Sequence, residues 1–388
     1  MKIIILVLLL KVIYPQENET KCIITDYIEI LNSYNILLSL SEIYHKTHFK
    51  IDLSLDHTWV YNNFFTQIRS KHVKKYNSYQ GFDSDNNQTL QIEDISDNVY
   101  FYRQQIKIEN FLFKTVEPKP EFGYSSIGFR YKNGDKNTTF FVVHQLKEKG
   151  MINKLIFSLV PIDYYHGKLV LGELPNDIIK YSPYKTSCAV DKVYLDWGCR
   201  VSIVMVGGVT YINPVNHYAF FQTAKTFIYA PEAFMDFLRE NVFDSYIKKK
   251  VCSYDKGKKK YVCNLDNEKQ KFPNITFKIG DSYFSLSEHY LFDSSYGNKT
   301  FIIQQNTEQR TSWVLGGAFY KMNIISFDYE NHSVSFYSNS SFNLLPSSSI
   351  IENKNISRQY LINILSITLI TTFIILLISK VKSTNRMG

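Results

Sequence analysis

Residues Thr311 to Ser338 read TSWVLGGAFYKMNIISFDYENHSVSFYS, and their order constrains the chain more than any other stretch. Trp313-Val314-Leu315 is an apolar strand pattern. Gly316-Gly317 follows, where backbone must turn sharply or approach other backbone closely. Ala318 to Lys321 has room for one or two helical turns. Asn323 to Asp328 and Ser333 to Tyr337 then read as two strands, joined by the tight turn Tyr329-Glu330-Asn331-His332. Buried strand, short helix and hairpin occur together in many folds; the spacing of the residues within them narrows the choice.

The remaining chain supports a β-rich body. Its 29 Tyr and 28 Phe, with abundant β-branched residues and no helical heptads, favour strands. A length of 388 residues suits two domains, and 45% apolar residues supply a core for each. The net charge of +8 comes from lysines spread along the chain rather than from a long basic arm, which argues against nucleic acid as a partner. Lys248 to Lys260 is the densest basic run, with seven lysines. It is expected to be a hairpin closed by Cys252–Cys263, either a solvated loop or a patch for an anionic partner.

The two ends read as targeting segments. Residues 1–16 hold Lys2, an apolar run from Ile3 to Leu10, and Lys11, the pattern of a secretory signal. Leu361 to Ser379 is almost wholly apolar and, at ~1.5 Å per residue, spans roughly 28 Å, enough for a membrane-crossing helix. Lys380, Lys382 and Arg386 follow it, which places 380–388 in the cytosol and the body in the lumen or outside the cell, a single-pass type I arrangement. A polar stalk, 341–360, separates body and helix. N-x-S/T sequons at Asn18, Asn87, Asn137, Asn274, Asn298, Asn331, Asn339 and Asn355 all precede the helix, as glycosylation would require. The five cysteines suit an oxidising compartment. Cys188 and Cys199 are near neighbours, as are Cys252 and Cys263; two such bridges leave Cys22 over, and other pairings stay open.

The closing stretch resembles that of the pepsin-like aspartic proteases, W-I-L-G, D-x-F, a strand ending F-D, a turn, and a strand ending V-G-F. Trp313, Leu315, Gly316, Phe319, Phe327, Asp328, Val334 and Phe336 carry the match, with Gly317 in place of the family's acid. Further matches are Tyr124 to Phe129 (D-G-I-L-G-L), Gly167 to Gly172 (G-x-L-x-L-G) and Phe272 to Gly280 (L-P-x-I-x-F-x-I-G). The resemblance covers roughly residues 34–338. It implies an all-β, bilobal pepsin-like acid protease fold with short helices, lobes at 30–178 and 179–340, and the C-terminal transmembrane helix beyond. Too little chain separates the signal from the first strands for the family's basic prosegment.

The same resemblance locates the family's two catalytic aspartates. Asp52, Trp59 and Val60 match D-T-G-S-S-x-x-W-V, which makes Asp52 the first; Leu53-Ser54-Leu55 replaces the hydroxyl-bearing residues that orient it. Val201 to Pro214 fits A-I-V-D-T/S-G-T-S-x-x-x-x-P at Ile203, Val204, Gly207 and Pro214, which makes Met205 the second position. Asp191 and Asp196 are too far ahead to substitute. Ile92-Glu93-Asp94-Ile95 stands where a flap tip would lie, and Phe220 to Val242 reads as the second lobe's main helix. Two carboxylates must share one proton for this chemistry, and a thioether cannot take part. The expectation is an inactive protease homologue, a monomer whose cleft either holds a peptide or protein ligand or is plugged by Leu53, Leu55, Met205 and Val206. The alternatives are an active endopeptidase with degenerate motifs and a surface glycoprotein using the fold as scaffold. No G-x-S-x-G, H-E-x-x-H or phosphate loop offers another chemistry, and neither cofactor nor metal is expected.

Overall fold

The structure, a computed structural model, describes residues 21–338 apart from 31–32, 41–45, 62–71, 84–87, 102–105, 118–124, 132–138, 164, 192, 194–195, 212–216, 258, 266–270, 294–298 and 308–310. The expected signal, stalk, membrane helix and tail lie outside the described residues, as do Asn18, Asn87, Asn137, Asn298, Asn339 and Asn355. Of the other two sequons, Asn331 is exposed and Asn274 half-buried. Among the described residues no helix is long and apolar enough to cross a membrane.

The first half of the chain is built of β1 (Cys22–Ile30), β2 (Ser33–Leu40), β3 (Lys46–Asp52), β4 (Trp59–Tyr61), β5 (Lys74–Asp83), β6 (Gln88–Phe101), β7 (Ile106–Glu117), β8 (Ser126–Gly128), helix α1 (Val142–Glu148), β9 (Ile156–Pro161) and β10 (His166–Gly172). The second half adds β11 (Tyr184–Ala189), β12 (Gly198–Val206), β13 (Val209–Tyr211), β14 (His217–Phe221), β15 (Ile228–Ala230), α2 (Glu232–Leu238), β16 (Cys252–Asp255), β17 (Lys260–Cys263), β18 (Ile275–Ile279) and β19 (Ser282–Leu286). It ends with β20 (Phe292–Asp293), β21 (Lys299–Phe301), β22 (Ile303–Gln305), β23 (Trp313–Leu315), α3 (Gly317–Tyr320), β24 (Ile324–Asp328) and β25 (Ser333–Ser338).

A 13-stranded sheet runs β11-β25-β24-β9-β10-β1-β2-β3-β8-β4-β7-β6-β5. It joins the halves: β9 and β10 from the first are hydrogen-bonded in series with β24 and β25 from the second. An eight-stranded sheet (β19-β18-β12-β14-β23-β15-β22, with β13 on β12) forms the second lobe, and β16-β17-β21-β20 is a smaller third sheet. The closing hairpin forms as read. Its inward residues Phe327, Val334 and Phe336 are fully buried, as period-two alternation demands. Phe157 of β9 stacks on Phe327 of β24 at 4.7 Å, and Trp197 packs against both, so one aromatic cluster bridges the halves.

The bridges Cys188–Cys199 and Cys252–Cys263 are both present, with Cα separations of 6.0 and 4.0 Å. Cys22 is half-buried and unbridged; burial, then the Asp177 carboxylate, raise its pKa and keep it a thiol. The expected helix from Phe220 to Val242 is corrected. Residues 217–221 and 228–230 are strands, and the helix starts only at Glu232. Pro231 caps it, since proline fixes φ and has no N–H to leave unsatisfied. The flap expectation is corrected too. Ile92 to Ile95 sit mid-strand in β6, paired with Tyr79, Ser78, Asn77 and Lys75 of β5, in a ladder that runs on to Asp83↔Gln88.

Candidate active-site cleft

Two strand ends meet between the lobes, and each is built the same way. In the first, β3 runs parallel to β8 with Asp52 beside Gly128. The Phe129 N–H donates to the Asp52 carbonyl at 2.8 Å. The chain leaving Asp52 then crosses over Gly128 so tightly that a Cβ there would stand 2.5 Å from the carbonyl oxygens of Leu55 and His57. Only glycine permits that crossing.

In the second, β14 runs parallel to β23, with Ala219, Phe220 and Phe221 beside Trp313, Val314 and Leu315. The next step along both strands sets Gln222 against Gly316, and the Gln222 N–H donates to the Leu315 carbonyl at 3.1 Å. The chain leaving Gln222 crosses Gly316, where a Cβ would collide with the carbonyls of Lys225 and Phe227. Leu55 and His57 stand three and five residues after Asp52; Lys225 and Phe227 stand three and five after Gln222. The position that mirrors Asp52 is therefore Gln222.

One side chain ties the two ends together. The buried Thr223 hydroxyl donates to the Ile51 carbonyl at 2.6 Å, across 172 residues of chain. The residues just before Asp52 and just after Gln222 are thus in contact. Thr223 is mirrored in the first half by Leu53, which is 1% exposed and has no hydroxyl to return the bond.

Met205 does not occupy this place. It lies in β12, opposite Thr210 of β13 and Thr276 of β18, two residues ahead of a hairpin turn made by Gly207 and Gly208 at φ 56 and 85°. The apolar run and double glycine of Val201 to Val209 are those of an ordinary antiparallel hairpin, which a parallel active-site strand imitates in sequence. The usable signal lay downstream. Ala219, Thr223, Thr226 and Pro231 fit the A-I-V-D-T-G-T-S-x-x-x-x-P spacing, with Gln222 at the acid. Asp191 and Asp196 are engaged elsewhere, with the Tyr218 hydroxyl at 2.6 Å and the Arg130 guanidinium at 3.0 Å.

Asp52 is 7% exposed, and its Oδ1 accepts both the Ser54 N–H at 2.8 Å and the Ser54 hydroxyl at 2.5 Å. Leu53-Ser54-Leu55 therefore does supply one orienting hydroxyl, contrary to the sequence expectation. The loop beyond Asp52 is polar. The His57 ring lies 4.6 Å from that of Trp59, and its Nδ1 pairs with Asp56. His57 Nε2, Thr58 Oγ1, Trp59 Nε1 and Ser125 Oγ are buried without a hydrogen-bond partner among the described residues. Each such group costs about 1–3 kcal/mol when left unmade. Leu53, Leu55, Met205 and Val206 do not plug the cleft together, because Met205 and Val206 belong to the β12–β13 hairpin. No group of three His, Cys, Asp or Glu side chains among the described residues is gathered for a metal ion.

Residues 58–339 match the family model of the eukaryotic aspartyl proteases. The chain belongs to that family. The matched segment begins past Asp52 and includes Gln222. Among solved structures, the aspartic proteinase from Irpex lacteus superposes with a TM-score of 0.63 at 13% identity, covering 84% of this chain and 99% of its own. Basic 7S globulin from soybean superposes with a TM-score of 0.64, again at 13% identity, covering 83% and 96%. Both likenesses are of fold. No curated protein matches the sequence. For an aspartyl protease the arrangement holds one carboxylate and one carboxamide at the mirrored strand ends.

Proposed function

We propose that this aspartyl protease homologue has lost hydrolysis and keeps its cleft for binding a peptide or protein. The observation that carries this is Gln222 at the position mirroring Asp52. The family's reaction needs one carboxylate as base toward water and a second as acid toward the carbonyl oxygen, the pair sharing a proton. A carboxamide neither takes nor gives a proton near neutral pH. Each acid–base group contributes roughly 10²- to 10⁴-fold, and groups that act as a unit are lost together. A carboxamide still donates and accepts hydrogen bonds, and the Asp52 carboxylate accepts them, so the floor suits a peptide backbone. The sequence further supports a body held at the cell surface or in the secretory pathway by residues 361–379.

The test uses the full-length protein in detergent. Peptide-library cleavage is followed at about pH 3 to 7, the range in which a carboxylate pair operates, and binding of a transition-state peptide inhibitor is followed by calorimetry. Binding without cleavage, with binding weakened by Asp52→Asn, is the expected result. Cleavage that Asp52→Asn abolishes would show an active enzyme with a second acid elsewhere. Neither binding nor cleavage by a folded protein would leave only the scaffold role.

A further inference from the structure

The chain's charge is concentrated outside the cleft. Residues 248–260, KKKVCSYDKGKKK, hold seven lysines and one aspartate, so 7 − 1 = +6 of the formal +8 sits in 13 residues. The remaining 375 residues share +2. The net charge therefore comes mostly from this one run, which corrects the reading of it as spread along the chain.

The described residues present six of these lysines on and beside one disulfide-closed hairpin. β16 and β17 pair from Cys252↔Cys263 to Asp255↔Lys260, and the Cys252–Cys263 bridge closes the base. The Tyr261 ring stacks on Phe243 at 3.7 Å, which fastens the hairpin to the lobe. Lys248, Lys249, Lys250, Lys256 and Lys259 are exposed and Lys260 is half-buried. None of these six makes an ion pair with a described residue. Elsewhere Lys75, Lys114, Lys147, Lys154 and Lys299 each have a carboxylate within 3.3 Å. Lys250 and Lys259 even stand at φ 58 and 50°, where glycine or asparagine is usual. Like charges held this close repel, and an anionic partner relieves the repulsion.

The surroundings select among anions. A cavity of about 270 Å³ adjoins the hairpin and is lined by Arg239, Tyr254, Lys259 and Tyr261, with Asp236 and Asp244 on its wall. Tyr254 is 44% exposed and packs on Tyr261 at 4.9 Å, an aromatic face onto which a sugar ring can stack. The lysines are dispersed point charges and not a bidentate fork, which fits separated anionic groups along a polymer better than one phosphate. Anionic lipid is concentrated in the cytosolic leaflet, away from a lumenal body. We infer that the Cys252–Cys263 hairpin is a binding site for a sulfated polysaccharide, with sulfates on the lysines and a sugar ring against Tyr254.

Full-length protein is titrated with heparin, with chemically desulfated heparin, and with phosphatidylserine vesicles. The site predicts that heparin binds and is released by salt, and that the other two do not bind. The triple variant Lys256→Glu, Lys259→Glu, Lys260→Glu raises the Kd for heparin about tenfold or more, and Lys21→Glu, Lys168→Glu, Lys180→Glu changes it less than about twofold. Tyr254→Ala weakens heparin binding without altering its salt dependence. Equal losses from the two triples, absence of heparin binding, or preference for vesicles would overturn the assignment. Of the substituted lysines, Lys21, Lys180, Lys256 and Lys259 are exposed and Lys168 and Lys260 half-buried, so thermal melting of each variant is compared with the parent, and an unchanged melt shows that loss of binding is local.

Discussion

Residues 51–57 and residues 221–227 follow the same path through the molecule. Each strand lies parallel to a partner, ends beside a glycine, and folds back over that glycine with its third and fifth carbonyls. Their side chains differ at every chemical position: Asp52 against Gln222, Leu53 against Thr223, Leu55 against Lys225. The comparison separates what the fold needs from what the reaction needs. Gly128, Gly316 and the Thr223–Ile51 bond hold the backbone crossing, and they remain. The second carboxylate does nothing for the crossing, and it is gone.

The largest effect is expected from putting a methyl group under either crossing. Gly128→Ala and Gly316→Ala each drive a Cβ into backbone that cannot retreat, and each should cost about 3 kcal/mol or more, read by urea denaturation. If one is tolerated, the two halves are not built to the same tolerance. Thr223→Val removes the hydroxyl that ties the two strand ends together and strands the Ile51 carbonyl in the interior. A loss of about 1–3 kcal/mol is expected. Leu53→Thr probes the mirror position. Should it prove neutral, the new hydroxyl has regained a bond that offsets the lost apolar packing.

Acid should act on the contact between the halves at α1. His144 packs edge-on against Tyr329 at 6.1 Å, with Glu148, Lys147 and Glu330 as the charges around it. Burial, the largest cause, holds its pKa below the ordinary 6.5. The unfolded chain therefore binds the proton more readily, and stability falls as pH drops through 6.5 toward the folded value. His144→Phe should flatten the urea midpoint between about pH 7.5 and 5.5, and an unchanged slope would assign the acid sensitivity to other groups. The smallest effect belongs to the exposed Lys147–Glu330 pair across the same contact, where Glu330→Gln is expected to cost about 0.5 kcal/mol or less.

Much of this fold was legible from local rules. Trp313-Val314-Leu315 announced a buried strand by being apolar throughout, and Phe327, Val334 and Phe336 announced the closing hairpin by alternation. The short spacing of the cysteine pairs pointed to both bridges. Asp52 could be found because Trp59 and Val60 fixed its register. Gln222 could not be found as easily, because the acid that would have marked the strand is absent. Phe220 and Phe221, followed by Phe227 and the helical residues after Pro231, merged into one apparent helix. Parallel pairing of β14 with β23 joins segments about 94 residues apart (313 − 219), and no local pattern reports it. Meanwhile Val201 to Val209 offered a closer match in the wrong place. Ser54 stands off the family's hydroxyl offsets, yet the turn lets its side chain reach back to Asp52 Oδ1.

The continuous sheet has a mechanical consequence. β25 ends at Ser338, the last described residue, and it is flanked on both sides, by β11 over six residue pairs and by β24 over five. A pull applied to the chain at that end runs along the strand. It must shear both ladders at once, whereas a strand at a sheet edge would peel away one bond at a time. Because β24 continues into β9 and β10, the load passes directly into the first half of the molecule. The two lobes are expected to yield to force together, in a single rupture.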